Sequence, residues 1–358
     1  MTIPPRAASV PIAPAVPAVE TTLIYGIDAI AADAAGALDR HCQASIYNRF
    51  DWLRLTAEHV LPGTPLACAR ARTGDERAWL FLTAGPGRRA RAFAGWYTLE
   101  VSPAFAGAAS RARRLQLLTA AARALRRDHD RIELHPVAPA TADLVRTAFS
   151  DAGWWAVEAD GVANWVADTK DLGFEEYWRA RPSRLRNTVR RKLKEGELET
   201  RVSTRFDAAA WADYEAVYAQ SWKPEEGSPA FLRAIAQIEG DAGCLRLGLA
   251  YREGRPVACQ FWTVERGIAT IHKLAYVEAE KATSPGTVLS HAMFRHVLTE
   301  DRPVLIDYGN GDEPYKAEWM TRRRLLRRLT LFNRRSLGGV AGAARSAAAT
   351  LMRRVRHD

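Results

Sequence analysis

The sequence predicts an α+β fold in which a mixed, mostly antiparallel sheet flanked by helices is laid down twice along 358 residues. Three observations lead there. Residues 65–101 and 244–277 each divide into three strand-like runs separated by short turn signals. Each set of runs is followed by a helical stretch and then by a further strand. The chain is too long for one ordinary core and suits two of average size.

In order, Thr22 to Tyr25 reads as a strand and Asp28 to Gln43 as an Ala-rich helix. Phe50-Asp51-Trp52-Leu53 opens a second helical stretch with Leu53, Ala57 and Val60 on its apolar side. PLACARA, AWLFLTA and RAFAGWYTLEV come next as strands, divided by Thr73-Gly74-Asp75 and Gly85-Pro86-Gly87. A basic helix from about Ser110 to Arg127, a strand Arg131 to Val137, a helix Thr141 to Ala152, and strands near Trp154 to Val157 and Asn164 to Ala167 complete the first copy.

The second copy opens with helices at Phe174 to Arg179 and Ser183 to Lys194, a strand Glu197 to Val202, and helices at Ala208 to Ser221 and Pro229 to Glu239. Its meander is Cys244 to Tyr251, Val257 to Val264 and Ile268 to Val277. On the third of these strands simple alternation places Ile271, Lys273, Ala275 and Val277 on one face, with His272, Leu274 and Tyr276 on the other. The predicted organisation is a disordered Pro/Ala-rich leader at 1–21, one domain at 22–168, a second at 169–335 and a basic helical tail at 336–358.

Composition is globular: 47% hydrophobic and 26% charged. A formal charge of +10 favours polyanionic partners, and much of it lies in Arg179 to Lys194 and Arg322 to Arg356. Cys42, Cys68, Cys244 and Cys259 are scattered, with no metal spacing and no pairing pattern, so a reduced, cytoplasmic compartment and no metal are expected. No apolar run is long enough to span a membrane, and Pro11, Pro14 and Pro17 interrupt the only early apolar stretch. Zinc-protease, P-loop, serine-hydrolase and dinucleotide motifs are missing.

After the second meander, Lys281 to Gly286 crosses to a helix, Thr287 to Thr299, and then to the buried strand Val304-Leu305-Ile306, which ends in Asp307-Tyr308-Gly309. A helix N-terminus beside a strand end supplies unpaired amides for a phosphate. Gly286 lets a ligand approach the backbone, and Thr287 sets a hydroxyl at the helix start. Read alone, Ser284-Pro285-Gly286 is equally an ordinary helix entry.

The segment from Leu245 through HKLAYVEAEKATSPGTVLSHAMF to IDYGNGDEPYKAEW resembles the GNAT acyltransferase superfamily, in the branch related to Fem-type transferases and to cellulose-biosynthesis-associated acetyltransferases. The resemblance implies two tandem GNAT-like domains, the first degenerate and the second binding acetyl-CoA or another acyl-CoA. Of the superfamily's loop, Arg/Gln-x-x-Gly-x-Gly/Ala, this chain keeps a basic first residue, Lys281, and the last glycine, Gly286. Ser102 to Gly107 stands at the corresponding place in the first copy, without a leading basic residue.

The coenzyme is therefore assigned to Lys281, Ser284, Gly286, Thr287 and Val288. His272 is the base expected beside this loop, with a structural role as the alternative. The resemblance makes Tyr315 the acid for the leaving sulfur and sets Trp222, Lys223 and Gln260 on the acceptor side. Asp307, at the end of a buried strand, needs a cation such as Lys273 or Lys316 or else substrate.

The expected activity is that of an acyltransferase acting by direct attack on a small-molecule, lipid-linked or sugar-linked acceptor of envelope or polysaccharide synthesis. Two alternatives stand beside it: an aminoacyl-tRNA-dependent transferase, the one case with a nucleic-acid partner, and a non-catalytic binding protein. The run Arg179 to Lys194 is either an acceptor contact or a solvated face, and the basic tail fits reversible contact with an anionic inner membrane surface.

Overall fold

The computed structural model describes residues 18–355. The leader expected over 1–21 lies outside them as far as residue 17, and the first strand already starts at Glu20. The first half runs β1 (Glu20–Tyr25), α1 (Ile27–Ala34), α2 (Phe50–Leu55), β2 (Leu66–Thr73), β3 (Glu76–Ala84), β4 (Arg89–Ala92), β5 (Ala104–Ala106), α3 (Arg111–Leu125), β6 (Arg131–Val137), α4 (Pro139–Asp151) and β7 (Trp154–Asp168). Then come α5 (Phe174–Arg179), α6 (Ser183–Glu195), β8 (Glu199–Ser203), α7 (Ala208–Ala219), α8 (Pro229–Asp241), β9 (Leu245–Arg252), β10 (Arg255–Glu265), β11 (Ile268–Tyr276), α9 (Pro285–His296), β12 (Leu305–Asn310), α10 (Lys316–Trp319), β13 (Arg322–Asn333) and α11 (Leu337–Val355).

All thirteen strands join one sheet in the order β1-β2-β3-β4-β6-β13-β7-β12-β11-β10-β9-β8, with β5 on β3. Followed inward from either edge the two halves match. Four antiparallel-edge strands lead to a parallel pair, β4 with β6 or β11 with β12, crossed by α3 or α9. Each half then takes its last strand from the other: β13 enters beside β6, and β7 beside β12. Because β7 and β13 also pair with each other along most of their length, the exchange joins the halves through backbone hydrogen bonds.

The alternating Leu and aromatic residues of these strands bury against helices on both faces. Leu117, Val145 and Phe149 of α3 and α4 cover Trp154, Leu329 and Leu331, while α1 and α2 cover Trp79 and Phe81. In the second half, α6 and α9 pack Leu185, Leu289 and Phe294 on Trp262. On the opposite face α7 and α8 bring Trp211, Tyr214 and Phe231 against Phe261, and Trp52 and Tyr97 of the first half complete that cluster. A charged clasp adds to the junction: Arg40 and Arg49 of the first half meet Glu239 and Glu265 of the second.

Several expectations change. Arg322 to Asn333, read only as the start of the basic run that extends to Arg356, is a central strand. Leu326, Leu329 and Leu331 bury in the sheet, while Arg322, Arg323, Arg324, Arg327 and Arg328 keep partial solvent exposure and each meet an acid. The helix expected over 28–43 stops at Ala34, where Ala35 and Gly36 turn left-handed. The strand expected over 91–101 leaves the sheet after Ala92. The strands near 154–157 and 164–167 are one, β7. Ser102 to Gly107 is no helix-entry loop either, since Ala104 to Ala106 pair with β3 and α3 starts only at Arg111, capped by Ser110.

Candidate active site

The parallel pairing of β11 with β12 covers only Ile268–Thr270 against Leu305–Asp307. Beyond it β11 runs on to Tyr276 and β12 to Asn310, so the strands part and leave an opening. Two local features drive them apart. On β11, His272 is an extra residue: Trp262 faces Ile271, but the next residue back, Phe261, faces Lys273. On β12, the Gly309 amide turns to the Asp307 carboxylate at 2.8 Å, with Gly309 left-handed at φ 72.

The corresponding opening of the first half is closed. There the Val101 amide donates to the Pro136 carbonyl at 2.6 Å, so the returning chain bridges the gap after β4 and β6.

The bulge also corrects the faces read from alternation. Ile271, Leu274 and Tyr276 pack on the α9 side, whereas Lys273, Ala275 and Val277 face α7 and α8 together with His272. An inserted residue shifts the alternation by one, which a period of two cannot anticipate.

His272 lies between Phe261 and Trp52, its Nε2 2.9 Å from Thr263 Oγ1. Burial, with Lys273 beside it, pushes its pKa down to about 3. The ring is neutral at ordinary pH and a weak proton acceptor, so the geometry favours the structural alternative over the base.

At the helix entry Ser284 is left-handed at φ 56, Pro285 begins α9, and the Thr287 and Val288 amides return to the Ser284 carbonyl, both at 3.1 Å. Those two amides are committed to the helix. The loop's polar offer is thus Gly286 with the Ser284 and Thr287 hydroxyls. A Cβ on Gly286 would lie 3.1 Å from the Tyr276 ring, which shows how close this backbone comes to the opening. In charge the loop is nearly balanced: Lys281 sits 3.6 Å from Glu278, and Glu280 bonds Arg252 at 3.0 Å. The loop's charge offers an anion little attraction.

Around the opening, Trp222 lies on Tyr276 with ring centroids 4.2 Å apart, and Tyr315 meets Tyr308 edge-on at 5.9 Å. Burial, with Glu313 nearby, holds the Tyr315 hydroxyl well above its usual range, so it stays protonated and able to donate. Lys316, only 4% exposed, bonds the Asn310 carbonyl at 2.7 Å and Glu313 at 2.9 Å. Lys273 bonds Glu226 at 2.6 Å, and the Tyr97 and Tyr214 hydroxyls donate to the same carboxylate at 3.2 and 3.3 Å. Lys223 has no acidic partner at ion-pair distance among the described residues, and desolvation, with Lys273 nearby, lowers its pKa.

Trp222 and the Gly286 backbone thus meet at Tyr276, Lys223 lies near Lys273, Glu313 and Lys316, and Tyr315 lies on Tyr308. Gln260 does not belong with them. It is 1% exposed and fully engaged, donating to Ser290 Oγ at 2.7 Å and accepting from Trp262 at 2.8 Å. Asp307 also faces elsewhere: it pairs with Arg324 at 3.2 Å and accepts from Asn164 at 2.7 Å, not from Lys273 or Lys316. It lines a cavity of about 280 Å³ between the halves with Glu100, Tyr47 and Thr263.

Glu226, Tyr97 and Tyr308 were not among the expected residues. Glu226 comes after Trp222-Lys223 in one polar loop, a signal open to reading. Tyr97 comes from the other half, and only folding brings it near. Glu239, Cys244 and Glu265 cluster closely enough for a metal, but Arg40 and Arg49 already pair with both carboxylates. Among the described residues no helix is long and apolar enough to cross a membrane.

Residues 179–317, which contain the opening, match the Acetyltransferase (GNAT) domain family. No curated protein matches the chain in sequence. Among solved structures, FemX superposes with a TM-score of 0.60 at 11% identity, covering 83% of this chain and 95% of its own. A conserved protein of unknown function from Bacteroides thetaiotaomicron gives 0.50 at 12% identity, covering 79% of this chain and 89% of its own. Residues 179–317 are thus similar to a GNAT acetyltransferase domain, and the chain as a whole shares its overall fold with FemX.

Proposed function

We propose that the chain is an acyltransferase whose donor, acetyl-CoA or a related acyl-CoA, enters between β11 and β12. The observation that carries this reading is that the β11–β12 pairing ends at Thr270 and Asp307 beside the entry of α9, within the residues that match the GNAT domain. When bound, the thioester would supply an activated acyl group. The protein's part is to hold and orient. Ser284, Gly286 and Thr287 accommodate the phosphates, and the rings of Tyr276 and Trp222 wall the opening. Tyr315 keeps a proton available for a leaving sulfur. Lys223, without an ion-pair partner among the described residues, and Lys273 face the side where an amine or hydroxyl acceptor from envelope or polysaccharide synthesis would arrive. The cytoplasm is the proposed location.

One observation favours a second reading, transfer from an aminoacyl-tRNA. The balanced charge of the 278–286 loop gives a pyrophosphate little attraction, and the overall fold is that of FemX. Acetyl-CoA is expected to raise the melting temperature of the wild-type chain, and Gly286→Trp, which fills the approach to Tyr276, to abolish the rise. No rise with any acyl-CoA, together with retention of labelled tRNA, would replace the first reading by the second. Silence in both assays would leave a binding protein.

A further inference from the structure

Away from this site, α11 and the strands below it enclose a cavity of about 1410 Å³. Five arginines line it, Arg88, Arg89, Arg131, Arg328 and Arg345, against the acids Asp130 and Glu158. Arg88 is taken by Asp130, and Arg131 and Arg328 share Glu133. Arg89 and Arg345 have no acidic partner within ion-pair distance among the described residues, and Arg89 stands directly across from Arg131 on the neighbouring strand. Arg89 and Arg345 line the same cavity, and an anion between them would offset both charges.

The helix over this cavity has two unlike sides. Gly338, Gly342, Arg345 and Ser346 face the cavity, while Leu337, Val340, Ala344 and Met352 are turned to solvent. Leu337 is 91% exposed and Met352 60%. Aliphatic side chains on the outside of a helix have no partner in the chain, and arginines stand beside them. We propose that this face docks on an anionic phospholipid membrane, with the outer side chains of α11 at the acyl boundary and a headgroup phosphate between Arg89 and Arg345. Nucleic acid would use the arginines but gain nothing from Leu337 and Met352, which favours lipid.

The test uses the full chain and vesicles of phosphatidylcholine, alone or with about a third phosphatidylglycerol, in a flotation assay at low salt. Binding is expected only where phosphatidylglycerol is present. The double variant Arg89→Glu with Arg345→Glu is expected to bind about tenfold more weakly or worse, and Leu337→Ser with Met352→Ser to bind more weakly by a separate loss. Each variant's melting temperature shows that it folds. Equal binding to both vesicles, no binding to either, or undiminished binding by the charge-reversed variant would overturn the proposal. So would a dimer in light scattering that Leu337→Ser disperses, or labelled tRNA displaced by the charge reversal without vesicle binding. The vesicle and dimer outcomes leave the acyl-transfer reading untouched, and tRNA held through Arg89 and Arg345 is told from tRNA held at the β11–β12 site by its loss in the charge-reversed variant.

Discussion

Glu226 ties Tyr97 of the first half to Lys273 and Tyr214 of the second, and its removal is the sharpest test of that arrangement. Its carboxylate, 9% exposed, holds Lys273, itself 19% exposed, at 2.6 Å and accepts from Tyr97 and Tyr214. Glu226→Gln keeps an oxygen for the hydroxyls but leaves the Lys273 ammonium without its counter-charge, a loss of about 3 kcal/mol for a pair this sheltered. Lys273→Met leaves the carboxylate in the same position and costs about as much. Together the two changes remove both charges, so the double variant is expected to lose at least ~2 kcal/mol less than the sum of the singles. Urea titration of the four proteins, followed by circular dichroism, measures each term. Additivity to within about 0.5 kcal/mol would show that the two residues do not act as a pair and would refute the hub.

Acid sensitivity is expected at His272. Its folded pKa of about 3 lies below the ordinary 6.5, so as pH falls through that window the unfolded chain takes up the proton first. The stabilising contribution is complete above pH 6.5 and shrinks by about 1.4 kcal/mol per unit below it, until the folded pKa is reached. Urea titrations of wild type and His272→Phe across that range would converge as pH drops; parallel curves would contradict the assignment. Gly248→Val is expected to destabilise by about 3 kcal/mol, because a Cβ there runs into Met293 and comes 3.2 Å from Leu289 Cδ1 under α9. Met293→Ala in the same chain should recover part of the loss in thermal melts, and no recovery would place the strain elsewhere.

Much of the architecture was open to reading because periodicity is local. The meander β9 to β11, the crossover helix α9 and strand β12 arise from apolar spacing and Gly turns, and the loop at Ser284 to Gly286 stands where that reading put it. Harder to see was the basic run Arg322 to Asn333. Its charges imitate a tail until five arginines find acids on four other segments of the chain. The bulge at His272 was equally hidden, since an added residue leaves no mark in composition while reversing which side chains share a face.

By itself, then, the sequence determined a duplicated α+β plan and a helix entry beside a strand end. Tertiary structure decided that the halves exchange β7 and β13, that the chain after β4 bonds β6 at Pro136, and that His272, Gln260 and Asp307 are engaged by Thr263, Ser290 and Arg324. The physical reason is range. Turns, caps and apolar spacing act over a few residues, whereas strand exchange, bulge register and the pairing of buried charges depend on groups as much as 225 positions apart.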